Sequence, residues 1–426
     1  MLLAIGAVIG ATFALQDTPP SSVPDLIVHA ARMLDVRGGS ITKDVFVRVR
    51  DGRIVGVNSG SPTADASNGS TRLELGDVTL LPGLFDCHVH LTGSLEGDFV
   101  NRPVHEAEAD SALRGAKNCL TTVRAGFTTV RNLGCEGFVD VALEHAIERG
   151  DIEGPRIIPA GHSIGITGGH ADETGFRPGI LVSGPEHGIA DGVDECRKAV
   201  REQIKYGARV IKCIATAGVL SFEQQVGAQQ LTDDELRAIV DEAHRHKVKV
   251  AAHAHGTEGI LAAVLAGVDS IEHGSLIDQR CIDEMKKRGT YLVPTSYLAT
   301  RIDLDHLPPL LRQKAEFILP KARENLKLAI AAGVKIACGT DAAVYPHGEN
   351  AHELEVYVSL GMSPLDSIRA ATISAADLCG VTDRAELASG KLADIIAVPG
   401  NPLEDIKAVQ HVKWVMVGGR VVSSEK

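Results

Sequence analysis

Six side chains able to hold a metal ion fall, in order along the chain, at the ends of apolar, strand-like runs. They are His88 and His90 in LFDCHVHL, Lys212 in RVIKCIA, His253 in VKVAAHAHG, His273 in SIEHG and Asp341 in KIACGTDA. An i, i+2 pair on a strand turns both side chains to one face, so His88 and His90 can share a cation. Taken singly, each residue has an ordinary reading: Lys212 as an edge-strand lysine reaching for water, His273 as a hydrogen-bonded core histidine, Asp341 as a helix N-cap. Six such residues at strand ends of one molecule point instead to a common centre. Lys212 is the informative member. A protonated ammonium has the wrong charge beside cations, but a buried lysine loses its proton readily. The neutral amine adds CO₂ to give a carbamate, N6-carboxylysine, whose two oxygens bridge two metals. His255 shares a strand face with His253; the reading prefers His253 as the ligand and leaves His255 beside it as a supporting group.

This set suits hydrolysis of an amide. Divalent cations acidify water and polarise a carbonyl, which answers the weak nucleophile that makes an amide resist hydrolysis. Histidine, aspartate and carbamate ligands suit zinc first and accept manganese or cobalt.

Something must bring six distant positions to one place. Eight apolar runs alternate with helix-period segments between residues 82 and 383, the pattern of βα units around a parallel sheet. The runs are LFDCHVHL, FTTVRNLG, RIIPAGHSI, RVIKCIA, VKVAAHAHG, SIEHG, YLVPTS and KIACGTDA. Thr232 followed by Glu235 is a capping box opening one of the helices. Eight units predict an α/β fold, a (β/α)₈ TIM barrel, in which active sites lie at the C-terminal strand ends; a doubly wound sheet is the alternative. Residues 23–81 and 384–426 read as short strands joined by tight turns at Asp51-Gly52 and Gly418-Gly419. The two ends are expected to pair as a small β-sandwich domain. The stretch from Ser163 to Gly192 is rich in Gly, His and Pro and long for a connection, which marks a functional loop. With the preceding residue it offers His162, His170 and Arg177 as substrate-binding candidates, Arg177 as a bidentate partner for a carboxylate.

The motifs PGLFDCHVHL, SIGITGGHAD, YGARVIKCIATAGVLS, VAAHAHG, SIEHGS and GTDA together resemble the binuclear amidohydrolase superfamily. More narrowly they resemble its imidazolonepropionase-related branch of Xaa-Pro, Xaa-Arg and Xaa-Lys dipeptidases and carboxypeptidases, including amidohydrolases that split ochratoxin A. The resemblance spans residues 24 to 420. It implies that His88, His90 and Asp341 hold the more buried metal, that His253 and His273 hold the more exposed one, and that carboxylated Lys212 bridges them. It also implies Asp341 and Lys212 as the catalytic residues, Asp341 as the proton shuttle, with His170 near the substrate, and a homo-oligomer. His162 stands where the family offers no counterpart. The expected reaction is cleavage of the amide bond of a dipeptide or N-acyl amino acid with a free carboxylate, ochratoxin A-type amides included. A cyclic amide or imidazolone ring is the alternative substrate, and a non-catalytic structural relative the third reading.

Composition narrows the partners. With 43 basic against 55 acidic side chains the net charge is -12, which repels nucleic acid backbones and anionic lipid heads. A small-molecule amide or peptide is the expected partner, without stable membrane insertion of the mature chain. MLLAIGAVIGATFAL followed by QDTPPSSVPD has the build of a signal peptide and linker over residues 1–22. A periplasmic or secreted location follows if that segment is a signal peptide, and a cytoplasmic one otherwise. Of eight cysteines, Cys87, Cys213 and Cys338 sit inside apolar runs beside the proposed ligands, so free thiols are expected.

Overall fold

A computed structural model describes residues 25–61, 70–223 and 225–424. The expected leader, residues 1–22, lies outside the described residues. Five strands open the chain: β1 (Leu26–Asp35), β2 (Ser40–Arg50), β3 (Arg53–Ser59), β4 (Thr71–Glu74) and β5 (Val78–Pro82). Seven follow: β6 (Leu84–Val89), β7 (Phe127–Asn132), β8 (Arg156–Pro159), β9 (Val210–Ile214), β10 (Lys249–Ala254), β11 (Ser270–His273) and β12 (Tyr291–Val293). The chain ends on β13 (Ile395–Pro399), β14 (Trp414–Val417) and β15 (Arg420–Ser424).

The two ends of the chain join in one eight-stranded sheet, in the order β15-β14-β13-β5-β1-β2-β3 with β4 on β1. The expected turns are where the sequence put them. Asp51 and Gly52 (φ 49° and 74°) close the β2–β3 hairpin, and Gly418 and Gly419 (φ 55° and 78°) close β14–β15; left-handed backbone at both central positions matches the twist of the flanking strands. In hydrogen bonding the ends form a single sheet and not two facing ones. The reason is that β5 pairs with β1 on one side and β13 on the other, so the terminal strands extend the same ladder. Residues of both ends, among them Val28, Val47, Ile54, Ile395 and Trp414, share one apolar core.

From β6 onward the pairings are parallel. β6-β7-β8 form one sheet and β9-β10-β11-β12 another. Single bridges link them: Ile164 to Cys213 beyond β8, Leu292 to Ile336 beyond β12, and Ala342 back to Val89 of β6. The pairings thus return to their starting strand. Helices separate the strands, among them Glu108–Arg124, Val139–Arg149, Val193–Lys205, Asp233–Arg245, Thr257–Ala266, Gln279–Arg288 and Pro309–Ala331. The Thr232 hydroxyl accepts from the Glu235 N–H and the Glu235 carboxylate accepts from the Thr232 N–H, a cap contributing about 1 kcal/mol.

One run departs from expectation. KIACGTDA is not a continuous strand: Cys338 N–H donates to Ala370 O, Thr340 is bound to Asp86, and Asp341 adopts φ 59°. Its backbone still bonds both flanking strands, with Ala337 N–H donating to Leu292 O, Cys338 O accepting from Cys87 N–H and Asp341 N–H donating to His88 O, but the Cys338 N–H turned to Ala370 and the left-handed Asp341 break the ladder into isolated bridges. All eight cysteines are free thiols, seven of them buried. No helix among the described residues is long and apolar enough to cross a membrane.

Candidate active site

The strand ends bring the six candidate residues together. His88 lies in β6 with His90 just beyond it, Lys212 in β9, His253 in β10, and His273 closes β11. Alternation along β6 sends His88 and His90 to one face, their rings 5.4 Å apart. Asp341 Oδ1 stands 3.5 Å from His88 Nε2 and 3.3 Å from His90 Nε2. A second group, His253, His255 and His273, presents ring nitrogens within 4.8 Å of one another. Lys212 is tied to the first group, with Nζ 3.5 Å from His88 Nε2. It also touches the strand of the second, since its register partner on β10 is Ala251, two residues before His253.

These side chains are prepared to ligate. Burial lowers the Lys212 ammonium to about 8, so the neutral amine is within reach of ordinary pH. Burial likewise pushes His88 down to about 4, with Lys212 adding to the effect, and holds His253 and His273 well below the ordinary range. A ligating imidazole must be neutral. Burial alone would raise Asp341, but His88 and His90 hold its carboxylate well below the usual range. The His253 Nε2 atom is buried with no hydrogen-bond partner, and a buried polar atom without a partner calls for one. His255 by contrast is engaged, Nδ1 lying 2.8 Å from Ser275 Oγ. The donor set and the orphaned nitrogen fit divalent metal ions.

Strain accompanies the site. His273, Thr295 and Asp341 have φ of 68°, 50° and 59°, a left-handed backbone that non-glycine residues adopt at a cost of about 1–3 kcal/mol each. Thr295 Oγ1 is the partner of His273 Nδ1 at 2.7 Å.

The loop candidates divide. His170 reaches the centre, its ring centroid 4.4 Å from that of His253 and its Nδ1 bonded to Ser221 Oγ. His162 lines the same cavity, against Phe138 and His187. Arg177 does not reach it. The segment is turned out between Gly175 and Gly179 (φ 91° and 83°), and Arg177 is exposed and absent from the cavity lining. The carboxylate role assigned to it by sequence is therefore corrected. Arg102 and Arg114, which line the cavity, are paired with Glu106, whereas Arg323 lines it with its guanidinium on Ser359.

Other residues were missed. Glu272 Oε2 lies 2.9 Å from His88 Nδ1, and Asp86, raised to about 6 by burial, accepts from Thr340 and Asn350. Both carried a signal: Asp86 continues the i, i+2 series through His88 and His90, and Glu272 directly precedes His273. The whole centre opens into a cavity of about 1040 Å³.

The amidohydrolase family model matches residues 79–422. The chain belongs to the amidohydrolase family. Ochratoxinase of Aspergillus niger is 38% identical over 367 residues, covering 79% of this chain and 73% of that protein. A Xaa-Pro dipeptidase solved with methionine in its active site superposes with a TM-score of 0.89 at 36% identity, covering 93% of this chain and 99% of the other. A prolidase complexed with N-methylphosphonate-L-proline gives 0.85 at 31% identity, covering 94% and 100%. As an amidohydrolase the protein is a hydrolase acting on carbon–nitrogen bonds, within a family that is generally metal-dependent and acts on small amide or peptide substrates.

Proposed function

We propose that this amidohydrolase is a binuclear enzyme cleaving the amide bond of a dipeptide or N-acyl amino acid with a free carboxylate. The observation that carries the reading is the pair of ligand groups beside Lys212, the second of them holding the buried, unpartnered His253 Nε2. His88, His90 and Asp341 would hold one ion, His253 and His273 the other, and carboxylated Lys212 both. Two such ions, zinc first, would supply acidified water and a polarised carbonyl. Asp341, ionised and hydrogen-bonded, accepts the proton of the attacking water and returns it to the leaving nitrogen. His170, beside His253, donates a hydrogen bond to the substrate. The free carboxylate is supported by relatives whose bound methionine and proline derivative each carry one, and here Arg323 and His162 are the side chains offered to it. We read the ring of parallel pairings as a (β/α)₈ barrel over residues 82–383, and residues 23–81 with 384–426 as an accessory β domain built from both ends.

The test compares N-acetyl amino acids with their C-terminal amides on as-purified protein. A clear preference for the acid is expected. Equal kcat/KM for both would remove the carboxylate requirement, and preference for a ring amide over both would replace the linear substrate.

A further inference from the structure

The helix Pro309–Ala331 buries Leu311, Ala315, Ile318, Leu326 and Ala329, and with them one charged residue, Lys314. Its Nζ donates to the carbonyls of Gly218 (3.0 Å) and Ser221 (2.8 Å), and Glu223 Oε2 lies 4.0 Å away. Glu223 Oε1 in turn accepts the Gly218 N–H at 2.8 Å. A buried ammonium is costly unless its partners satisfy it. Here every partner belongs to one short segment, residues 218–223, so the buried charge is committed to holding that segment in shape.

The segment faces the substrate cavity. Ser221 Oγ bonds His170 Nδ1, and Gly218 lies so close that a Cβ there would stand 2.2 Å from the His170 ring. On either side of Ser221, Leu220 and Phe222 line the cavity and pack with Phe99, Ile302 and Leu319 over a floor of Leu307, Leu311 and Ala315. The Phe222 ring also abuts Gly175 of the loop after β8, where a Cβ would come within 3.2 Å. An apolar wall and a polar donor thus leave the same segment, side by side, and the same lysine fixes both.

We propose that the wall of Phe99, Leu220, Phe222, Ile302 and Leu319 receives a bulky apolar side chain of the substrate, and that Lys314 is the positioning residue holding this wall and His170 in register. The identity of the substrate as an amino acid derivative rests on the function proposed above; the apolar subsite and its anchor rest on the contacts of Lys314. Burying an aromatic side chain there gives a preference for phenylalanine over alanine of about 10- to 100-fold. Lys314→Met frees the segment and erodes that preference while leaving the metal ligands in place.

The experiment measures binding of L-phenylalanine and L-alanine to as-purified full-length protein by calorimetry, with metal content and hydrogen exchange followed in parallel. Wild type should favour phenylalanine, and Phe222→Ala should lose most of that preference. Lys314→Met should lose it with metal content unchanged and faster exchange confined to residues 218–223, and Lys314→Arg should restore part of it. Equal binding of the two amino acids by wild type overturns the wall. A Lys314→Met variant that weakens both ligands alike, or exchanges faster throughout, overturns the positioning role. If Lys314→Met does not fold, Phe222→Ala and Lys314→Arg decide: a ratio unchanged in both overturns the proposal. Selective binding of phenylalanine by a protein that hydrolyses no N-acyl amino acid would remove the proposed reaction and leave the subsite standing.

Discussion

Glu272 and His88 are joined by one buried hydrogen bond, Oε2 to Nδ1 at 2.9 Å, and the other carboxylate oxygen is held at 2.8 Å by Arg131 Nη2. Arg131, fully buried, also donates to Cys87 O and Ser270 Oγ. Although burial opposes ionisation, Arg131 and His88 hold Glu272 down at about 2. The pair therefore fixes the tautomer of His88 and aims its Nε2 at the centre.

Glu272→Gln strands the Arg131 guanidinium without a counter-charge, and removing one partner of a buried pair costs about 3 kcal/mol. Urea unfolding should show that loss, and metal affinity should fall by about 10- to 100-fold. A stability change under about 1 kcal/mol would mean that Arg131 is satisfied without the carboxylate.

Lys212→Ala should lose both metal and activity, because no neighbouring group replaces the two oxygens of a carbamate. Elemental analysis is expected to fall from near two equivalents per chain in the wild type. Activity retained within about tenfold, a barrier change of only about 1.4 kcal/mol, would refute the carbamate.

Asp341→Asn keeps an oxygen to offer a cation but cannot carry a proton. Turnover should drop by at least about 100-fold with metal largely retained. Retained turnover would move the proton transfer to another group.

A surface histidine gives a pH signature away from the site. His29 bridges Glu74 and Asp44, 2.8 Å from the latter, and stacks on Phe46. Hydrogen bonds to Glu74 and then Asp44 raise its pKa above 6.5. Because the folded value is the higher one, this contact stabilises the protein fully below pH 6.5 and is lost as pH rises through the raised folded value. The Tm of His29→Gln should therefore lie below wild type at pH 5.5 and approach it at pH 9. A gap that widens with pH would reverse the sign.

Much of the site is legible in the sequence because ligand chemistry stands out against apolar runs. His88, Lys212 and His273 are polar residues in segments that otherwise read as core, and the structure collects them at neighbouring strand ends. Arg177 misleads because a loop residue is chosen by type, and nothing local shows that glycines at 175 and 179 turn it outward. Arg131 escapes for a different reason. Its buried partner Glu272 is 141 residues away in sequence, so no spacing betrays the pair, and Arg131 alone looks like solvent-facing charge. KIACGTDA reads as a strand by composition, and its ladder to both neighbours is interrupted where the Cys338 N–H turns to Ala370 and Thr340 to Asp86, partners that only the folded chain supplies.

The pairing of Pro82 with Ile395 also imposes an order on synthesis. Strand β5 emerges from the ribosome about 310 residues before its partner β13, which at about 5–20 residues per second leaves that edge open for roughly 15–60 s. During that interval the nascent sheet presents an unpaired, apolar border, the kind of edge that invites pairing with other chains. Aggregation of this protein should therefore depend on how fast translation delivers β13, and ribosome stalling between β5 and β13 should harm it more than stalling before β5.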